Sequence, residues 1–140
     1  MKFMVIRKAD AETEAGVMPS KELIDQMTDY NEKAVTAGIM LDGNGLMSSA
    51  HGARVSFKGG KPTVVDGPFA EAKELIAGYS IVDLPSLEAV IEEVKKWPPL
   101  DGHGNVQIEI RRVFTAEDLG FSDEQLDREA RLRQMSQQQQ

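Results

Sequence analysis

Asp66-Gly67-Pro68-Phe69-Ala70-Glu71-Ala72-Lys73-Glu74 compresses a turn, a helix start and several polar side chains into nine residues. Gly67 takes backbone angles closed to other residues, and Pro68 fixes its own φ while pushing Gly67 out of the α region. The chain therefore turns at Asp66. An Asp in this position accepts hydrogen bonds from amides just beyond it, which predicts a capped turn, with Glu71 near the positive end of the helix that follows. The same geometry has a second use. A carboxylate held on a rigid turn, with Lys73 and Glu74 close by along the chain, is placed to act as a base or to bind a polar ligand.

Ala53 to Phe57 and Thr63 to Val65 flank Lys58-Gly59-Gly60-Lys61-Pro62, so the segment before Asp66 reads as a β-hairpin. Pro62 puts the second strand at an edge or delays its start. Lys58-Gly59-Gly60-Lys61 reads better as a turn than as a phosphate loop, since it lacks the Gly-Lys-Ser/Thr ending and the helix that should follow. Tyr79 to Leu84 reads as the next strand. Pro85-Ser86 opens a helix with the apolar stripe Leu87, Val90, Ile91, Val94 and Trp97, which Pro98-Pro99 ends.

Upstream, Phe3 to Ile6 is an unbroken apolar run, the pattern of a central strand buried on both faces. Leu23, Met27, Tyr30, Ala34 and Ala37 line one face of a helix from Ser20, its N-cap, to a stop at Gly38. Ile39-Met40-Leu41 reads as a short strand before a Gly-rich loop, Asp42 to Gly45. Downstream, Val106, Ile108 and Ile110 alternate with Gln107, Glu109 and Arg111, a strand with one wet face. Arg112 has the apolar parity, which places it at a dimer rim or against an anion. The methionines, Met4, Met27, Met40 and Met47 among them, read as adaptable core.

With the hairpin set aside as an insertion, the order is βαββαβ: an α+β, ferredoxin-like fold with both helices on one sheet face. The other face has no helix of its own. An apolar sheet face must be covered, and the same face of a second copy covers it, so the chain is expected to be a homodimer. Residues 1–114 form the domain, and residues 115–140 an extension. In the extension Ser122 and Gln125 make a capping box, Phe121 staples onto Leu126, a short docked helix runs over residues 121–135, and Gln137 to Gln140 fray.

At 140 residues the chain closes one core of ordinary size. Its 23 acidic and 16 basic side chains give a net charge of −7, which opposes attraction to nucleic acid and to anionic membranes. No apolar stretch approaches the roughly 20 residues needed to span a bilayer, and the first residues do not read as a signal peptide. Cysteine is absent, which excludes disulfides and thiolate chemistry and suits a cytoplasmic setting. His51 and His103 are the only histidines, each in a glycine-containing loop, and no metal-binding spacing is present. Neither a metal nor a cofactor is expected.

The motif, with Ala37-Gly38 leading to Leu41-Asp42-Gly43, the strand Gly78-Tyr79-Ser80-Ile81-Val82, Leu87-Glu88-Ala89, Ile108-Glu109-Ile110-Arg111 and Phe114 to Gly120, resembles the DGPF group of the YCII-related proteins from Phe3 to Gly120. The resemblance implies a dimeric α+β barrel of two sheets packed face to face. Some similar proteins carry a His and Asp pair between sheet and first helix. This chain has no histidine in its first strand or first helix, so that pair lacks its histidine here. The family is also similar to domains associated with extracytoplasmic-function sigma factors.

Two functional readings come from these residues. In one, Asp66 transfers a proton on a small polar or aromatic molecule, with Tyr30, Phe69, Glu71, Lys73 and Glu74 lining one concave site. In the other, the chain is a non-catalytic dimeric interaction module, linked to sigma-factor regulation, in which the motif serves folding alone. A buried phenol such as Tyr30 also serves a core by satisfying one hydrogen bond. A cavity holding Asp66 marks the first reading, and Asp66 bonded only to backbone amides marks the second.

Overall fold

The computed structural model describes residues 1–138. Its elements are β1 (Lys2–Lys8), α1 (Ala11–Glu14), α2 (Lys21–Thr36), β2 (Met40–Gly45), β3 (Ala53–Lys58), β4 (Lys61–Asp66), β5 (Ile76–Asp83), α3 (Leu87–Val94), β6 (Ile108–Arg112) and α4 (Asp123–Gln138). Four strands form an antiparallel sheet in the order β2-β5-β1-β6, and β3 and β4 pair separately as a hairpin. With the hairpin removed, this is the ferredoxin-like βαββαβ order.

β1 is central, as its apolar run predicts, but it is not buried on both faces. Phe3 and Val5 are buried, while Met4 and Ile6 are only half-buried. The reason lies in where the helices sit. Phe3, Val5, Val82 and Val90 form the core, with Ile39, Leu84, Val94, Trp97, Ile108 and Ile110 packed against it, and these strand residues share one face. Burying a side chain such as Phe3 or Val90 stabilises by about 1.5–3 kcal/mol. The other face presents Met4 and Ile6 opposite Ile81 and Tyr79 on β5, with Glu109 and Arg111 of β6 exposed beside them.

α2 starts at Ser20, whose hydroxyl accepts from the Leu23 amide, and ends at Ala37. α3 starts at Ser86, which accepts from Ala89. Its stripe is narrower than the sequence implies: Val90 is fully buried and Val94 and Trp97 pack on the core, but Leu87 and Ile91 face outward. Asp42 to Gly45 is strand rather than loop. The ladder with β5 carries it across a bulge at Leu41, and the backbone pairing outweighs the low strand preference of its glycines. The hairpin turns through Gly59 and Gly60, both at positive φ (57° and 79°), as a two-residue hairpin turn requires.

No regular helix follows the motif. Glu71 adopts a left-handed conformation (φ 63°), and only a single 3-10 turn, Ala72–Glu74, precedes β5. In the extension the Ser122 and Gln125 capping box forms in both directions. α4 then runs through Gln138 and takes in Gln137 and Gln138, while Gln139 and Gln140 lie outside the described residues. None of its residues is buried, and Leu132 and Met135 are exposed, so within one chain the helix is not docked.

Candidate functional site

The motif turn is tied down through its backbone. The Gly67 amide donates to the Gly52 carbonyl at 2.9 Å, and the Phe69 amide to the Ser49 hydroxyl at 2.9 Å. A Cβ at Gly67 would stand 1.7 Å from the Ser49 carbonyl oxygen, so the approach is open to glycine alone. Ser49 is held in turn by Glu14, whose carboxylate accepts from the Ser49 amide at 3.0 Å and from its hydroxyl. The Arg54 guanidinium lies 4.0 Å from the centre of the Phe69 ring, a cation–π contact.

Glu14 ends α1, and α1 is itself anchored to the core. Asp10 caps it, accepting from the Thr13 amide at 2.8 Å while its own amide donates to the Thr13 hydroxyl at 2.9 Å. Asp10 also accepts from Arg7 at 3.1 Å. Arg7 is buried on the helix side of β1 and grips Asp101 through two hydrogen bonds, Nε at 3.1 Å and Nη2 at 2.8 Å. Its Nη1 donates to the Lys8 carbonyl, and the Trp97 indole donates to Asp101 at 2.8 Å. A continuous path of bonds thus runs from the central strand through α1 to the motif.

The charges in that path stay charged. Burial by itself would lower the Arg7 pKa, yet the bonds and charges of Asp101 and Asp10 raise it above its ordinary value. Burial by itself would raise Asp101, and the Arg7 hydrogen bond, the Trp97 donor and the Arg7 charge together hold it below the ordinary carboxylate range. Asp10 is also lowered: burial opposes, and the Thr13 amide and Arg7 prevail.

Asp66 differs from all of these. It ends β4, is exposed, and makes no side-chain hydrogen bond or ion pair among the described residues. Its expected capping bonds to backbone amides are absent, because no helix follows to supply the amides. Nor is it in a deep cavity. Two surface concavities, about 480 Å³ lined by Asp29, Glu32, Lys33, Thr36 and Ala37 and about 360 Å³ lined by Arg112, Val113, Phe114 and Asp118, lie away from the motif.

Of the other candidates, Phe69 is half-buried at the Ser49 contact, and Glu71, Lys73 and Glu74 are exposed around the 3-10 turn. Tyr30 is placed differently. Its ring packs 5.5 Å from Trp97 and its hydroxyl donates to the Glu93 carbonyl at 3.4 Å, between α2 and α3. Burial and the nearby Glu93 charge push its pKa up to about 12, the state of a neutral core phenol. Among the described residues, no hydrogen bond or aromatic contact joins it to the motif. Arg112 lies 3.9 Å from Asp118 in an exposed pair, and His103 faces Glu12 at 3.0 Å. Among the described residues, no three His, Asp or Glu side chains gather as a metal site.

Sequence reasoning missed Glu14, Ser49, Arg54 and the Arg7 network. Arg7 shares the parity of Phe3 and Val5, which places it on the buried face, and Asp10-Ala11-Glu12-Thr13 carries an N-cap and an acidic first turn. Ser49 has no such signal, since its partners lie 35 and 20 residues away.

The chain is similar in structure to a 5-chloro-2-hydroxyhydroquinone dehydrochlorinase from Burkholderia phenoliruptrix, solved in complex with 2,5-dihydroxybenzoquinone. The identity is 14% and the TM-score 0.42, over 84% of this chain and 99% of that one. Among curated proteins, none matches at a significant level. No helix among the described residues is long and apolar enough to cross a membrane. The family model of the YCII-related domain matches residues 1–115, and the chain therefore belongs to the YCII-related family.

Proposed function

We propose that this YCII-related protein, of the DGPF group, pairs through its open sheet faces into a dimeric α+β barrel and binds a small polar or aromatic molecule beside the motif turn. Asp66 is its acid/base group. The observation that carries this reading is the contrast within the motif: Gly67 and Phe69 are fixed to Gly52 and Ser49, while the carboxylate beside them is left unbonded. A turn serving the fold alone would be expected to use its carboxylate as a cap. Here the backbone is immobilised and the reactive group is presented, the arrangement that positioning for proton transfer requires.

The neighbouring groups suit a planar, oxygenated ligand. Phe69 supplies an aromatic surface, Arg54 a cation held against it, and Lys73 an exposed cation close along the chain. The ligand supplies what Asp66 lacks in one copy, since a carboxylate becomes an effective base only when a bound molecule excludes water from it. The test is calorimetric titration of wild-type protein and Asp66→Asn with a panel of hydroxybenzoates, dihydroxybenzenes and short hydroxy acids. The reading expects at least one ligand whose affinity falls about tenfold or more in Asp66→Asn, the loss of one charged hydrogen bond. A panel bound equally by both proteins would refute it.

A further inference from the structure

The hairpin of β3 and β4 is a sheet of its own, with every residue of both strands exposed. A lone two-stranded hairpin is marginal in water, and a third strand sharing an apolar face is what gives such a sheet independent stability. Its two sides are unlike. By register, Val55, Phe57 and Val64 fall on one side and Arg54, Lys58 and Lys61 on the other, where Ser56 faces Thr63 between them. The apolar side is uncovered: Val55 is 55% exposed, Phe57 70% and Val64 64%. The three cations make no ion pair among the described residues. Lys58 also stands directly opposite Lys61, a like-charge pair that destabilises a ladder.

The free backbone lies on β3. Lys58 and Lys61 flank the two-residue turn, and the Gly67 amide donates to the Gly52 carbonyl in the same register, so the ladder bonds of this strand fall at Gly52, Arg54, Ser56 and Lys58. Ala53, Val55 and Phe57 therefore turn their N–H and C=O groups outward. The outer edge of β4 is blunted, because Pro62, opposite Phe57, has no N–H to offer there. We infer that the outer edge of β3 takes a third strand from a partner protein, an extended segment that alternates acidic and apolar residues. Its backbone pairs with Ala53, Val55 and Phe57. Its carboxylates lie beside Arg54 and Lys58, and its apolar side chains extend the side of Val55 and Phe57.

Charge and chemistry select this occupant over the alternatives. A second copy offering the same edge would set Arg54 and Lys58 against their own counterparts. A nucleic acid would meet the same cations but leave the outward amides, Val55 and Phe57 unused. The chain's net charge of −7 opposes any anion at long range, but within the screening length of about 8 Å the local cations prevail. An acidic strand satisfies the cations, the open edge and the apolar side together, and it needs neither Asp66 nor the ligand beside it.

The probe is a synthetic peptide matched in length to the six residues of β3, alternating glutamate with valine and blocked at both ends, titrated into the isotopically labelled full-length protein. Amide exchange at Ala53, Val55 and Phe57 should slow about tenfold or more at saturation. The same peptide with lysine for glutamate, or with N-methylated amides, should leave that exchange unchanged. Lys58→Glu turns attraction into repulsion at one cross-strand pair and should weaken the peptide roughly fivefold or more, although it also relieves the clash with Lys61 and so firms the hairpin. Val55→Pro removes one outward N–H without touching the ladder and should abolish binding. Exchange at Ser56 and Lys58 without peptide reports whether each variant keeps its hairpin; if Val55→Pro does not, Lys58→Glu and the N-methylated peptide decide between them. No slowing with the glutamate peptide, or slowing that Lys58→Glu and N-methylation leave intact, overturns the added strand. So does the same slowing produced by raising the protein concentration alone, which gives the edge to a second copy, or by a single-stranded oligonucleotide, which marks a general surface for polyanions.

Discussion

Replacing Arg7 by Met should be among the most damaging single changes in this domain. The Arg7 and Asp101 side chains are only 9% and 13% exposed, and the guanidinium donates to Asp101 twice, to Asp10 and to the Lys8 carbonyl. Met fills much of the space but leaves the Asp101 carboxylate buried with the Trp97 indole as its one remaining donor. Breaking a buried pair from one side costs about 3–5 kcal/mol, a large part of the roughly 5–15 kcal/mol that holds a domain folded. By contrast, the exposed pair of Lys95 and Glu92 contributes about 0–1 kcal/mol. The double variant Arg7→Met with Asp101→Leu should recover most of the loss, since it removes the stranded charge; the unpaired Trp97 donor then accounts for about 1 kcal/mol.

Urea unfolding followed by Trp97 fluorescence measures all three proteins, the reporter being itself a member of the network. The acid limb adds a second check. Asp101 has a folded pKa below its unfolded value of about 3.9, so its contribution is complete above that pH and is lost as pH falls through the depressed folded value. The advantage of wild type over the double variant should therefore shrink below about pH 4. A loss under about 1 kcal/mol in Arg7→Met, or a double variant as unstable as the single, would refute the reasoning.

Three further outcomes concern the motif. Gly67→Ala, whose Cβ would meet the Ser49 carbonyl at 1.7 Å, should detach the motif turn and destabilise by about 2 kcal/mol or more, read as a lower thermal midpoint. Ser49→Ala removes the hydroxyl that joins Glu14 to the Phe69 amide and should cost about 1–3 kcal/mol, with faster amide exchange at Phe69 than in wild type. Glu71→Gly relieves a left-handed φ of 63° and should stabilise by up to about 1 kcal/mol while weakening ligand binding; unchanged stability would show that the conformation carries no strain.

How much of this was legible in sequence depends on the range of the forces involved. The helix starts at Ser20 and Ser86 were readable because a cap bonds to an amide three residues on. β6 is legible from period-two alternation and the hairpin from its paired glycines, whereas the unbroken apolar run of β1 marks a strand but hides that only one of its faces is buried. Asp42 to Gly45 was misassigned because ladder pairing with β5, which no local propensity encodes, makes it strand. The motif's turn residues are legible locally, but a helix does not follow them, because the chain reaches β5 after one 3-10 turn. Tyr30 was grouped with Asp66 from chain order; in the fold it faces Trp97 across α2 and α3. Glu14, Ser49 and Arg7 escaped notice because each works through a partner distant in sequence, and a single sequence shows such pairs only when parity betrays them.

If the motif turn, led by Asp66, receives the ligand, the amides of that turn must respond to it. Amide chemical-shift mapping of isotopically labelled protein against the tightest-binding member of the panel tests it most directly. Perturbations should cluster on Gly67, Phe69 and Ala70 to Glu74, with Arg54 of β3, and should vanish in Asp66→Asn. Perturbations confined to the α2 concavity of Asp29, Glu32 and Lys33, or unchanged by Asp66→Asn, would contradict it.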